Sequence, residues 1–165
     1  MKFSPSQFHC TSYKKKDDCH ILCGKLSGTS CCCPACQMES FTVHSFYTKT
    51  IQDLPISRKS VFLVVRARRF TCKNKEWLMN YFTQTTEFTS TGAPKTTRLE
   101  NLIIDIVTPT SLLQATDILR NIGIITSKSA VAKLLKKVLF SIDSSIFIAC
   151  LDDLHYENDN LTVLF

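Results

Sequence analysis

A chain of 165 residues with 44% hydrophobic content and a mean hydropathy of +0.03 can fold as one ordinary domain or as two to three very small ones. Four Gly and five Pro exclude a low-complexity chain, and the longest apolar runs, "VFLVV" (61–65) and "IFIACL" (146–151), are far too short to span a bilayer. The net charge of +6 hides an asymmetry: all 20 Lys and Arg lie in residues 1–140, whereas residues 141–165 hold five acids and no base. The basic body therefore suits a polyanion partner and the acidic end does not, although a lysine-rich surface also serves simple solvation.

The N-terminal "MKFSPSQFHC" lacks the continuous apolar core of a secretory signal. A cytoplasmic address follows, where nine cysteines stay reduced and favour metal ligation over disulfides. No membrane partner is expected. Residues 1–30 are polar, carry the lysine run "YKKKDD", and read as a poorly structured lead-in with one strand at "CHILC".

Residues 31–90 are rich in β-branched and aromatic residues and read as a small β-rich module. It opens on "SCCCPAC" (30–36), where Cys33 and Cys36 frame a tight turn that can aim two thiolates at one ion. That is half of a tetrahedral zinc site. The strand "SVFLVVRARRF" runs into a basic end with Arg66, Arg68 and Arg69, and delivers Cys72 to the same region. Spacing alone leaves Cys72 either a ligand or a buried core thiol. In "TCKNKEW" the position that would complete a Cys-x4-Cys step is Trp77, whose indole cannot ligate zinc.

"TSTGAPKTT" (89–97) sets Gly92 and Pro94 among small polar residues and marks a linker at 91–96. Beyond it the period becomes helical over residues 97–140. Leu99, Leu102, Ile103 and Ile106 share one face, and Thr97 with Glu100 forms a capping-box signature. Leu112, Ala115, Leu119 and Ile122 repeat the spacing, and Gly123 is a natural terminator. A third helix turns Val131, Leu134, Leu135 and Val138 inward and leaves Lys128, Lys133, Lys136 and Lys137 mostly outward. Two helices joined by a Gly-containing turn, the second basic, match a helix-turn-helix; a plain three-helix bundle with a solvated lysine face explains the same pattern. Residues 141–165 return to strand character, with "IFIACLDD" ending on Asp152 and Asp153 and "LTVLF" starting a further strand.

Taken in order, "CPACQMESFTVHSFYTKTIQDLPISRKSVFLVVRARRFTCKN", "TTRLENLI", "NIGIITSKSAVAKLLKKV" and "IACLDDLHYEND" resemble the start of bacterial insertion-sequence transposases of the ISL-three family. The resemblance runs over roughly residues 18–165. It implies an α+β chain: a zinc ribbon, a helix-turn-helix, and the first strands of an incomplete RNase-H-like catalytic domain. The family's four zinc ligands fall on Cys33, Cys36, Cys72 and the position of Trp77, so zinc is expected in a weak, incomplete site. Cys32, Cys31 and His44 are the substitutes for the fourth position, each requiring a shifted loop. The family's magnesium-dependent acidic site begins at Asp152 or its neighbour Asp153, and one carboxylate cannot assemble a two-metal centre. The expectation is a truncated transposase remnant without catalytic activity that binds double-stranded DNA at transposon ends. Ser127, Lys128, Ser129 and Lys133 would meet bases or phosphates, and Arg66, Arg68 and Arg69 would add phosphate contacts. A full-length transposase of the same family is an implied partner. The rival readings are an active enzyme completed by another chain or reading frame, and a cysteine-rich metal-binding protein with no DNA role.

Overall fold

The computed structural model describes residues 7–74, 81–90 and 92–141, the last three by backbone alone. The chain divides into two compact units between Leu99 and Glu100. Among the described residues no helix is long and apolar enough to cross a membrane.

The first unit is built on a mixed sheet. Strands β1 (Phe8–Lys15), β2 (Cys19–Leu26), β5 (Val43–Ile56) and β6 (Lys59–Thr71) lie in the order β1-β2-β6-β5. A short pair, β3 (Cys31–Cys32) and β4 (Glu39–Ser40), stands apart, and β7 (Tyr81–Thr83) pairs with the end of β6. Residues 8–26, expected to be a lead-in with one strand, thus supply two strands of the main sheet. The signal was weak because β1 is an edge strand, exposed at every position after Phe8, and edge strands carry lysines that discourage unwanted pairing. Its partner β2 runs parallel to β6, from Cys19 opposite Ser60 to Lys25 opposite Arg66, and such a long-range match leaves no local mark.

β5 and β6 form a long hairpin around the two-residue turn Ser57-Arg58, with both residues at left-handed φ of 51° and 61°. That is the mirror-image turn whose twist suits a hairpin. Just before it the register shifts between Asp53 and Ile56, and Pro55 sits in this irregularity, where a missing N–H is tolerated.

One face of the sheet carries the core: Phe8, Leu26, Ile51, Leu63, Val65 and Ala67 are buried, with Leu22, Tyr47 and Phe88 packed against them. Gly24 is required here, because a Cβ would stand 2.4 Å from the His9 carbonyl oxygen and 2.6 Å from the Phe8 ring. Along one edge of β6, β2 covers the first half and β7 the last residues. Gln84 closes the gap between them. Its backbone N–H donates to Arg68 O at 2.9 Å, its side-chain carbonyl accepts from Arg68 N at 3.4 Å, and its amide donates to Ser27 O at 2.8 Å.

The expected linker is ordered backbone over 92–96. Gln52 N–H donates to Pro94 O at 2.9 Å, and Thr96 N–H donates back to Gln52 O at 3.0 Å. Helix α1 (Thr97–Val107) follows directly. Its cap is Thr96 rather than the expected Thr97: the Thr96 hydroxyl accepts from Leu99 N at 3.3 Å and donates to Asp53 at 2.8 Å. Asp53, only 2% exposed, also receives two hydrogen bonds from the Arg98 guanidinium. That carboxylate selects the cap. Glu100 instead lies 3.8 Å from Lys137.

The second unit continues through α1 into α2 (Leu112–Asn121) and α3 (Lys128–Ser141). Its buried apolar positions include Ile103, Val107, Ala115, Leu119, Ile124 and Val131. Ser111 caps α2 by accepting from Gln114 N. Gly123, at φ 88°, ends α2 as expected. Its N–H donates to Arg120 O and that of Ile124 to Leu119 O, the paired closure of a Schellman motif, with Ile124 and Leu119 both buried. Ser127 caps α3 by accepting from Ala130 N at 3.2 Å. The strands expected at 146–153 and 161–165, with Asp152 and Asp153, lie outside the described residues, as does Trp77.

Candidate metal centre

The turn Cys33-Pro34-Ala35-Cys36 links β3 to β4 and is closed by its own backbone. Cys33 N–H donates to Met38 O at 3.0 Å and Gln37 N–H to Cys33 O at 2.8 Å. Gln37 takes a left-handed φ of 58° to turn the chain back. Cys72 comes from the residue after β6, one step beyond Thr71. Phe70 and Phe82 stack at 6.0 Å and form a buried floor with Cys33, against which Cys36, Cys72 and Cys31 pack.

On this floor three thiols converge. Cys72 Sγ lies 3.6 Å from Cys36 Sγ and 3.7 Å from Cys33 Sγ, and all three sulfurs fall within 4.8 Å of one another. A tetrahedral zinc with Zn–S bonds of about 2.3 Å sets its sulfurs about 3.8 Å apart. The spacing fits. Backbone N–H groups of Cys36 and Ala35 aim at Cys33 and hold its thiol below the ordinary value. Cys72 is hydrogen-bonded by the Asn74 backbone, yet burial, the neighbouring thiols of Cys36 and Cys33, and the Cys33 charge hold it above its ordinary value. Crowded thiolates of one sign accept a cation far more readily than another proton loss.

Among the described residues the group consists of Cys33, Cys36 and Cys72 alone. The substitutes for a fourth ligand fall outside this 4.8 Å group. Cys32 is exposed, Cys31 Sγ rests 3.8 Å from the Thr85 hydroxyl, and His44 stacks on Tyr81 at 4.9 Å with Nδ1 3.1 Å from Ser45 Oγ.

The three arginines at the end of β6 have separate environments. Arg66 is exposed, its guanidinium 4.4 Å from the centre of the Phe46 ring. Arg68 donates to Gly28 O at 2.6 Å and Leu26 O at 3.4 Å, and so helps hold the chain leaving β2. Arg69 lies between Tyr47 and Tyr81, at 5.3 Å and 5.8 Å, with its buried Nε unpartnered among the described residues. On α3, Lys128, Ser129 and Lys133 are exposed, and the Ser127 hydroxyl is engaged by the cap and by Ser129 Oγ at 3.0 Å. Sequence reasoning overlooked Asp53 and the exposed aromatic residues Phe41, Phe46 and Tyr81.

A thiol-bearing turn joined by a cysteine from a second, longer hairpin defines a zinc-ribbon arrangement. Residues 29–74, which contain all three thiols, match the family model described as the zinc-finger of transposase IS204/IS1001/IS1096/IS1165. The chain thus carries a zinc-ribbon domain of that transposase type at residues 29–74. No curated protein and no solved structure matches it.

Proposed function

We propose that this chain is a transposase-related DNA-binding protein whose zinc ribbon organises the β-rich unit and whose α2 and α3 act as a helix-turn-helix on duplex DNA. The observation that carries the reading is the convergence of Cys33, Cys36 and Cys72 within the residues that match the transposase zinc-finger model. Zinc, when bound, would be held by these thiolates and would act structurally, tying the β3–β4 turn to the end of β6.

Support for the DNA role comes from charge and helix geometry. α3 offers Lys128, Ser129 and Lys133 at exposed positions in its first two turns, with Ser127 at the cap. Those are the turns that enter a major groove in a helix-turn-helix. Arg66 is the open phosphate contact on the sheet, whereas Arg68 and Arg69 contribute less because their guanidinium groups are engaged within the fold. The target implied is the terminal repeat of a related element, and a full-length transposase of the same type is the second partner.

The test is duplex binding followed by fluorescence anisotropy across a salt series. Affinity should fall steeply as salt rises, because phosphate neutralisation releases counterions. An affinity that stays flat from low to moderate salt rejects the reading.

A further inference from the structure

The sheet face opposite the core enters the duplex reading only through Arg66, and its residues follow from the register. His9, Lys25, Arg66 and Thr48 stand side by side across β1, β2, β6 and β5, because His9 pairs with Lys25, Lys25 with Arg66, and Arg66 with Thr48. All four are exposed. The next row towards the ribbon pairs Phe46 with Arg68. The next row the other way runs Ser12, Cys23, Val64 and Thr50, where Cys23 and Val64 are half-buried.

Two features of this face call for a ligand. It presents three basic or titratable groups in one line and no carboxylate in any of these rows. It also leaves Phe46 52% exposed, with the Arg66 guanidinium 4.4 Å from its ring centre. An exposed ring beside the two cations Lys25 and Arg66 matches a nucleic-acid strand with unpaired bases: the bases stack on the ring and the guanidinium, and the phosphates follow the cations. Duplex DNA fits less well, since its bases are stacked on each other and unavailable to Phe46, and a broad sheet face does not enter the major groove as a helix does.

We infer that the open face of the sheet, centred on Phe46, Arg66 and Lys25, binds single-stranded DNA. The residues of this site all belong to the first unit, and of them only Arg66 is shared with the duplex-binding reading.

The experiment measures binding of the zinc-loaded full chain to a labelled oligothymidine and to a labelled duplex of the same length. Phe46→Ala should weaken single-strand binding about 5- to 100-fold, since base–aromatic stacking is worth about 1–3 kcal/mol, and should change duplex binding less than about twofold. Phe46→Tyr should restore the single-strand affinity. Arg66→Ala and Lys25→Ala should weaken it and lower its salt dependence, while Lys128→Ala/Lys133→Ala should leave it intact. Circular dichroism checks that each variant keeps its fold, which exposed positions allow. Equal single-strand affinity for the wild type and Phe46→Ala overturns the inference, and so does an equal loss on both probes. Abolition of single-strand binding by the α3 substitutions also overturns it, because that would place both ligands on the helix.

Discussion

Cys36 and Cys72 are 36 residues apart in the chain, yet their sulfur atoms lie 3.6 Å from each other. Two hairpins bring them together: the short β3–β4 turn supplies one and the end of β6 the other. Such a meeting of thiols, with Cys33 beside them, is expensive for thiolates alone and favourable around a cation. Cobalt substituted for zinc should therefore give thiolate-to-metal absorption that disappears in Cys72→Ser. An unchanged spectrum in that variant removes Cys72 from the site.

The fourth position gives a sharper version. Trp77→Cys should tighten zinc binding and raise the melting temperature of the β-rich unit, because a fourth thiolate adds charge and metal bound to the folded state stabilises it by mass action. Trp77→Ser is the control for any packing loss. Cysteine and serine variants that bind zinc equally and melt together would show that residue 77 is not a ligand position.

Zinc affinity should rise with pH. The metal binds thiolates, so the bound state holds fewer protons than the free state, and raising pH favours it. Cys33, lowered from its ordinary 9.0 by the Cys36 and Ala35 N–H groups, gives up its proton before Cys72. Cys72, raised from 9.0, holds its proton longer than Cys33 does. Metal titrations monitored by proton release should show more protons liberated per zinc as the starting pH falls. Release that stays constant from pH 6 to 9 contradicts binding of the metal by thiols that become thiolates.

Asp53 holds the start of α1 through Thr96 and Arg98. Arg98→Ala should cost about 2–3 kcal/mol, less than the loss of a fully buried pair because the Arg98 side chain is 42% exposed. Thr96→Ala should cost about 1–2 kcal/mol through the lost cap and the lost hydrogen bond. Urea denaturation measures both, and a double variant should lose less than the sum, since both side chains serve one carboxylate.

The turn Ser57-Arg58 forces two non-glycine residues into left-handed backbone. Replacing the pair by Asn-Gly should stabilise the hairpin by about 1 kcal/mol, because Asn and Gly favour this turn and the strain is relieved. A melting temperature that stays the same or falls would show that the Arg58 side chain contributes something the turn geometry does not reveal.

How far the sequence spoke depended on how local each feature was. The helices were legible because Leu99, Ile103, Ala115, Leu119 and Val131 carry a helical period, and Gly123 stops α2 where such a residue should. The Cys33–Cys36 pair was legible because Cys-Pro-Ala-Cys constrains its own turn, whereas spacing left Cys72 open and only the family resemblance joined it to them. β1 was not, since its residues after Phe8 face solvent and show no alternation. The cap at Thr96 was hidden for a related reason: what selects it over Thr97 is Asp53, 43 residues away. Likewise the open, basic sheet face exists only once β2 lies beside β6, and no window of sequence contains both.

That parallel pairing of β2 with β6 also dictates an order of assembly. The β1–β2 and β5–β6 hairpins join neighbours across short turns, and hairpins of this kind close in about 1–10 μs. Their union is the slow event, because Cys19 must find Ser60 across the intervening chain and the loop entropy is lost before the contacts form. The Cys33–Cys36 turn lies inside that intervening chain, and Cys72 stands at the far end of β6. A metal that gathered the three thiols early would shorten the search of β2 for β6. Its effect would then be felt in the rate at which the sheet closes as well as in the stability of the finished fold.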